Sequence, residues 1–178
     1  MDWRRCCDNH VGEAIAFLTD LEEESHLTGF PDGIAGTTYR IYHAGTILLA
    51  WQSNELVGFL AYYLDPAPPE FAVGPAAYVY LLVVHPSRRH LHSTMLSVLR
   101  ALCRFMGMEG FVHARFKAEA SDLYVNRLYR KIAALIGTEL NSQGLRSNVY
   151  WANVADWCAR FSSNHASPAR AIRECRAR

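Results

Sequence analysis

One segment limits the folds open to this chain more than any other: an apolar strand that passes through a short basic turn into an amphipathic helix. Residues 78–84 are all aromatic, β-branched or leucine, which is typical of a buried strand. A basic turn over 85–94 follows, and apolar residues recur at helical spacing over 91–106. The first turn of such a helix leaves backbone N–H groups unpaired, and its dipole favours negative charge. The segment therefore predicts an anion site that suits a diphosphate-bearing cofactor.

The composition is that of a soluble globular protein. The 178 residues are 51% hydrophobic and 20% charged, which fits one domain with a substantial core. A net charge of +1 argues against nucleic acid as a partner, and the longest apolar run, about nine residues, is too short to span a bilayer. Residues 1–7 lack the apolar segment of a signal peptide. We therefore expect a cytoplasmic protein without a membrane partner, whose five cysteines form no disulfide framework.

The first half of the chain predicts one helix and one hairpin. Apolar residues at helical spacing predict a helix that Asp8 or Asn9 caps: Val11, Ala14, Ile15, Leu18 and Leu21. Glycine and proline make the segment 28–38 a predicted loop. The apolar runs over 46–52 and 55–64 flank Ser53 and Asn54, which predicts two antiparallel strands joined by a tight turn.

The second half alternates strands and helices. In order, the patterns predict a loop, a strand, a helix, a strand, a helix and a strand: 65–70, 78–84, 91–106, 111–116, 122–135 and 147–154. Gly107 is a good stop for the first of these helices, and Ser121 a good cap for the second. The second helix would turn four residues inward: Tyr124, Leu128, Ile132 and Leu135.

This order of elements predicts an α+β (mixed α/β) fold with a single central sheet, mixed but mostly antiparallel, flanked by helices. We expect one domain over 1–161, followed by a polar, basic tail over 162–178.

Two motifs, together with the order of elements, resemble the GNAT superfamily of acyl-CoA N-acyltransferases. Residues 84–89 are similar to the V-x-P-x-x-R opening of the family's acyl-CoA loop, with Val84, Pro86 and Arg89 at its named positions. Residues 128–131 (Leu-Tyr-Arg-Lys) resemble its late helix motif, in which an aromatic residue or leucine precedes tyrosine, any residue and lysine. The run Glu-Leu-Val-Gly-Phe at 55–59 is also common in the family.

The chain departs from the family pattern at the loop and at the strand before it. His90 and His92 stand where the loop usually has glycines, and Thr94 takes the third small position. A histidine keeps the backbone N–H that a phosphate needs but adds bulk. Tyr80 stands where many members carry an acidic residue, so the sequence offers no obvious general base and a water chain would take the amine proton.

The resemblance implies that acetyl-CoA is the acyl donor and that an amine of a small molecule or protein is the acceptor; it also allows a homodimer. The pantetheine arm would bind main-chain groups of Leu82 and Val84 where the strands 78–84 and 111–116 splay apart. The diphosphate would bind the loop residues: Arg88, Arg89, His90, Leu91, His92, Ser93 and Thr94. Tyr129 would protonate the leaving thiolate.

The acceptor side and the metal question rest on fewer residues. Tyr80 and His113, on neighbouring strands, would line the acceptor site. His85, His90 and His92 have no acidic or cysteine partner nearby in sequence, so we expect no metal site.

Each of these residues also has a purely structural interpretation. Arg88 and Arg89 also fit a solvated basic turn, although their position just before a helix start favours phosphate binding. His90 and His92 are equally typical of polar loop residues. On helix geometry alone Tyr129 is a core aromatic residue, and His113 is more typical of a structural role. Three functions follow: an acyltransferase acting on an amine, a GNAT-like binding or regulatory module that has lost catalysis, and a GNAT-like enzyme that modifies nucleic acid.

Overall fold

The computed structural model describes residues 1–23, 30, 32–89, 91–140 and 144–161. Within these residues the chain forms seven strands and five α-helices. The strands are β1 (Asp2–Arg5), β2 (Gly45–Gln52), β3 (Glu55–Leu64), β4 (Ala76–Val84), β5 (His113–Glu119), β6 (Ala134–Leu140) and β7 (Arg146–Asn153). The helices are α1 (Asp8–Asp20), α2 (Gly33–Ala44), α3 (His92–Met108), α4 (Leu123–Tyr129) and α5 (Val154–Phe161).

The strands form one sheet in the order β1-β2-β3-β4-β5-β7-β6. Every neighbouring pair is antiparallel except β4 and β5, which are parallel and joined by the crossover helix α3. The predicted α+β (mixed α/β) class with a single, mostly antiparallel sheet is therefore confirmed. The expected pairing of strand 78–84 with strand 111–116 is also confirmed, as β4 beside β5.

Each face of the sheet has its own core. One face packs against α3 and α5 around residues such as Leu102, Met106 and Trp157. The other packs against α1 and α2 around residues such as Leu18 and Ile41. The sheet is thus the middle layer of three.

The hairpin of β2 and β3 forms as predicted. Ser53 and Asn54 both adopt left-handed backbone conformations, with φ of 51° and 65°. Two left-handed central residues define the turn whose twist matches that of the flanking strands.

Four elements were not predicted: β1, α2, β6 and α5. Helix α2 begins inside the segment that predicted a loop, because residues buried at helical spacing outweigh its glycines: Ile34, Thr37, Thr38 and Ile41. Strand β6 lies at the edge of the sheet and is largely exposed, so it lacks the apolar alternation that marks a half-buried strand.

Several predicted boundaries were wrong. The strand predicted over 111–116 is His113–Glu119, and the cap of α4 is Asp122 rather than Ser121. The helix predicted over 122–135 ends at Tyr129, so Tyr124 and Leu135 are 63% and 44% exposed rather than inward. Helix α3 continues through Gly107, and Gly110, with φ of 78°, follows its end. Helix α1 already includes Asp8, and Cys7 is its cap residue.

Two sequence-based expectations concern the ends and the surroundings of the chain. The division into a domain over 1–161 and a tail over 162–178 stays a prediction, because 162–178 lie outside the described residues. Among the helices of the described residues, none combines the length and the apolarity needed to cross a bilayer.

Gly58 in β3 is required by a close approach between strands. A Cβ at this position would lie 3.0 Å from the Cβ of Ala50 and 3.1 Å from the ring of Trp3. The Trp3 ring is buried, and its Nε1 donates a hydrogen bond of 3.0 Å to Ser97 Oγ on α3. The ring is therefore held in place and cannot move to admit a side chain.

We predict that Gly58→Ala lowers the free energy of unfolding by about 1–3 kcal/mol, the usual cost of overpacking a core. Gly137→Ala is the matched control, because Gly137 also lies in a strand but a Cβ there would have no atom within 4 Å. Urea unfolding of both variants measures the difference. Equal stability of the two would show that β1 and β3 do not approach this closely.

Candidate active site

The central feature of the sheet is a gap that opens between β4 and β5. The two strands pair from Ala76 opposite His113 to Val79 opposite Phe116, and no pair follows. Beyond that point β4 continues to Val84 beside β3, whereas β5 continues to Glu119 beside β7. The carboxyl ends of two central strands therefore lie apart, and the main chain of β4 is unpaired on the side of the gap.

A bulge in β4 stands at the mouth of this gap. Val79 lies opposite Tyr62 and Leu81 opposite Ala61, so Tyr80 is the extra residue between them. Tyr80 and Leu81 consequently both pack against the core beneath α1 and α2. The bulge thus turns the Tyr80 ring toward that face at the level where β4 and β5 part.

Main-chain groups of Leu82 and Val84 point into the gap. The N–H of His85 donates to the carbonyl of Val57 on β3, at 2.9 Å. Because main-chain groups alternate along a strand, those of Val84 and Leu82 face the opposite side, toward β5. One of them already has a partner, since Nε of Arg89 donates to the carbonyl of Val84 at 2.9 Å.

The turn after β4 satisfies much of its own backbone. Four N–H groups each donate to a carbonyl three residues earlier: those of Arg88, Arg89, Leu91 and Thr94. No side chain of the described residues caps α3. In the first turn of α3, the N–H groups of His92 and Ser93 are therefore the ones that could donate hydrogen bonds to an anion.

The side chains of the turn differ in exposure. Arg88 is half-buried, and its Nε has no partner among the described residues. Leu91 and Ser93 are exposed, whereas Thr94 is buried. His90 lies outside the described residues, as does the side chain of His92.

Tyr129 lies beside the gap on the face that α3 covers. Its ring meets the ring of Phe116 edge-on at 4.7 Å and that of Tyr150 at 5.5 Å. Phe116 is the last residue of β5 that pairs with β4, so Tyr129 and Tyr80 lie near the same point on opposite faces of the sheet. Burial, together with Asp122 and Tyr150, raises the pKa of Tyr129 to about 12, so the phenol is protonated at neutral pH.

Asn126 ties the helix that carries Tyr129 to two strands. Its Nδ2 donates to the carbonyls of Glu119 and Asp122, both at 2.6 Å. Its Oδ1 accepts from Asn148 Nδ2 at 2.6 Å and from the Tyr150 hydroxyl at 2.8 Å. One buried amide thus joins the end of β5, the start of α4 and the middle of β7.

The turn that follows Tyr129 is held by α5. Nε1 of Trp157 donates to the carbonyl of Ile132 at 2.7 Å, and Nη1 of Arg160 donates to that of Lys131 at 3.1 Å. Tyr129 is therefore anchored on both sides along the chain, by Asn126 before it and by α5 after it.

On the opposite face, charged side chains of β5 form a paired network. Asp65 is fully buried and accepts from Arg115 Nη2 at 2.6 Å and from the N–H of Ala67 at 3.1 Å. Nη1 of Arg115 also lies 3.6 Å from Glu139, which pairs with Lys117. The sequence marked Asp65 only as part of a loop, because its partner lies fifty residues away in the chain.

His113 and Tyr80 are not brought together. His113 lies opposite Ala76, three residues before the last paired position of β5, which is roughly 10 Å along the strand. Its ring stacks on Trp151 at 4.9 Å, and its Nδ1 is buried without a partner among the described residues. The geometry favours the structural interpretation of His113.

A second depression lies at the other end of the sheet. It is bounded by the start of β2, the end of β3 and the end of α3. Its carboxylate, Glu109, already accepts from Arg5, Thr46 and Tyr62. Since its acid is fully engaged, this depression is a weaker candidate than the gap.

One comparison with known proteins identifies a family. A sequence model of the acetyltransferase (GNAT) family matches residues 15–133, more than half of the chain. A search of curated proteins finds no match.

Solved structures share the fold. The aminoglycoside 6′-acetyltransferase type Ii is 16% identical, with a TM-score of 0.66, over 86% of this chain and 97% of that one. An aminoglycoside 6′-N-acetyltransferase complexed with coenzyme A is 16% identical, with a TM-score of 0.65, over 86% and 97%. A chimera of the spermidine N-acetyltransferase SpeG from Vibrio cholerae and hSSAT is 12% identical, with a TM-score of 0.69, over 90% and 100%.

We predict that Asn126→Ala lowers the free energy of unfolding by about 3 kcal/mol, because it leaves several buried polar groups unpaired. Asn148→Ala is the matched control: it removes a single donor, and the Tyr150 hydroxyl still pairs with Asn126. We expect Asn148→Ala to lower the free energy of unfolding by about 1 kcal/mol. Chemical denaturation of both variants measures the two values, and an equal loss would mean that Asn126 is not the centre of the network.

Proposed function

Because the chain belongs to the GNAT acetyltransferase family, we propose that it transfers an acyl group, in the first instance acetyl, from acyl-CoA to an amine. The family takes its acyl group from acetyl-CoA. The observation that carries the proposal is the gap between β4 and β5, where the main chain of β4 has no partner strand on one side. Helix α3, whose cap residue Leu91 makes no side-chain cap bond, lies at the exit of the gap, and Tyr129 lies beside it.

The donor would bind along β4. Amide groups of the pantetheine arm would pair with the main chain of Leu82 and Val84, as an added strand does. Since Arg89 already occupies the carbonyl of Val84, the N–H of Val84 is the better partner there. The diphosphate would accept from the N–H groups of His92 and Ser93, with Arg88, Arg89 and the loop histidines around it.

The chemical step would join the acceptor nitrogen to the acyl carbon and break the bond from that carbon to sulfur. Tyr129 would give its hydroxyl proton to the departing thiolate and regain one from solvent, while water takes the proton of the amine. A phenol whose pKa is about 12 holds its proton until the thiolate forms. Much of the rate would come from holding both reactants in one gap.

A second function from another class is a GNAT-fold binding or regulatory module without catalysis. One observation favours it: four N–H groups of the turn after β4 donate to carbonyls within the turn, so fewer N–H groups remain to bind a diphosphate. Titration calorimetry with acetyl-CoA separates the two, because a module that has lost the cofactor gives no binding heat. A nucleic-acid-modifying enzyme is the third, and salt-dependent binding of DNA or RNA would support it.

We predict that Arg89→Ala weakens acetyl-CoA binding by about 1.5–3 kcal/mol, or roughly 10- to 150-fold in Kd, because a charge-assisted contact to phosphate is lost. Arg89→Lys keeps the charge but loses the Nε bond to Val84, so its Kd should lie between that of the unmutated protein and that of Arg89→Ala. Arg104→Ala, an exposed arginine near the other end of α3, is the control and should leave Kd unchanged. Calorimetry checks all three, and an unchanged Kd for Arg89→Ala would reduce Arg89 to a surface residue.

We predict that Tyr129→Phe slows the chemical step by roughly 100-fold or more, the usual range for a lost general acid. The affinity for acetyl-CoA should change little, because the hydroxyl acts mainly in the transition state. The ring remains against Phe116, so the melting temperature should hold. Single-turnover release of free thiol from acetyl-CoA, with a panel of amines, measures the rate.

The control for this variant is Tyr39→Phe, which removes a hydroxyl from a half-exposed tyrosine on α2. Full turnover by Tyr129→Phe would leave Tyr129 as a packing residue.

In the unmutated protein the raised pKa of Tyr129 also predicts no loss of rate between pH 9 and pH 11, where an ordinary phenol of pKa about 10 would lose its proton.

A further inference from the structure

The face of the sheet opposite Tyr129 carries a cluster of aromatic rings that the transfer of the acyl group does not use. Tyr63 lies opposite Tyr78 across β3 and β4, with ring centroids 5.5 Å apart. Tyr80 lies 6.0 Å from Tyr63 and 6.5 Å from Tyr78, and Phe30 stacks on Tyr80 at 6.1 Å. We call these four residues the aromatic wall.

The aromatic wall begins where the acyl group would lie. Tyr80 is the first residue of β4 beyond the last pair with β5, and the bulge turns it to this face. All four rings are only partly buried, so each of them leaves some surface open to a ligand. An acceptor that reached the gap from this face would pass along them.

Cationic side chains border the aromatic wall on both sides. Arg40 on α2 lies near Tyr80, and it pairs with Asp32 at 2.7 Å. On the other side Arg115 and Lys117 lie 5.0 Å and 5.6 Å from the centre of the Tyr78 ring. A ligand here would meet aromatic surface between cationic side chains that are each paired with a carboxylate.

Each carboxylate of the described residues around the wall already pairs with a cation, and the second oxygen of Asp65, which has no partner among these residues, is fully buried. Asp32 pairs with Arg40, Asp65 with Arg115, and Glu139 with both Arg115 and Lys117. A polycationic acceptor needs acidic partners for its additional ammonium groups, and every carboxylate here is already paired with a cation of the protein, which disfavours such an acceptor.

From this arrangement we infer that the acceptor is a monoamine carried on a planar aromatic body, an arylalkylamine, whose ring stacks on Tyr63 and Tyr80. Offset and edge-to-face ring contacts of this kind supply affinity without needing an acidic pocket. The inference rests on the proposed function. It also separates this chain from its structural neighbours, whose names give spermidine and aminoglycosides as their substrates.

The test compares four amines on the full chain saturated with coenzyme A, so that binding is measured without turnover. The probes are 2-phenylethylamine, its non-planar counterpart 2-cyclohexylethylamine, spermidine and the aminoglycoside kanamycin. Calorimetry should give 2-phenylethylamine an affinity at least fivefold above each of the others. Equal binding of the cyclohexyl compound, tighter binding of either polycation, or no binding of 2-phenylethylamine would overturn the inference.

Substitutions on the wall give an independent readout. Tyr63→Leu keeps apolar bulk but removes the ring, so the Kd for 2-phenylethylamine should rise at least fivefold. Tyr63→Phe keeps the ring, so its Kd should rise less than that of Tyr63→Leu. Tyr39→Leu, away from the wall on α2, should leave Kd unchanged. Similar Kd values for Tyr63→Leu and the unmutated protein would remove the wall from the acceptor site, provided that the affinity for coenzyme A is intact.

The same panel keeps this inference distinct from the proposed function. If 2-phenylethylamine binds as expected but no thiol is released from acetyl-CoA, the proposed function fails and the binding site stands. If thiol is released with spermidine or kanamycin and not with 2-phenylethylamine, the function stands and the arylalkylamine assignment fails.

Discussion

The site depends on where hydrogen bonding between β4 and β5 stops. Up to Val79 and Phe116 the two strands are neighbours in one parallel pair, and beyond it each follows a different partner. The same break leaves the main chain of Leu82 and Val84 without a partner strand on the side of β5, and Phe116, at the break, lies beside Tyr129. A sheet that stayed paired to its end would have no room for a pantetheine arm.

Two sets of contacts, one on each face of the sheet, hold the elements that border this gap in place. On the face of α3, hydrogen bonds of the Asn126 amide to β5 and β7, and of α5 to the turn after Tyr129, fix Tyr129 in place. On the other face, the ion pair between Asp65 and Arg115 is almost fully buried and locks β5 beside the loop that follows β3. Breaking such a pair costs more than forming it gains, so it holds the strand in register as well as adding stability.

The sequence predicted what local patterns encode. Continuous apolar runs marked β3 and β4, and Ser53 and Asn54 marked the hairpin, because both signals lie within a few residues. Edge strand β6 was missed because its exposed residues show no alternation of apolar and polar side chains. Helix α4 was predicted too long because the contact that accompanies its end after Tyr129 comes from α5, and no glycine or proline marks that end in the sequence. In the site, the motif around Tyr129 was visible, whereas Asn126 and Asp65 were not, since their partners lie 22 and 50 residues away.

The central claim is that acyl-CoA lies along β4 in the gap, and amide chemical shifts in the isotopically labelled protein test it most directly. On saturation with acetyl-CoA, the amide resonances of Leu82, Val84 and Ser93 should shift strongly, because their N–H groups would gain partners. Those of Thr46 and Glu109, at the depression on the other end of the sheet, should hardly move. Unmoved resonances along β4 with shifts around Glu109 would contradict the account.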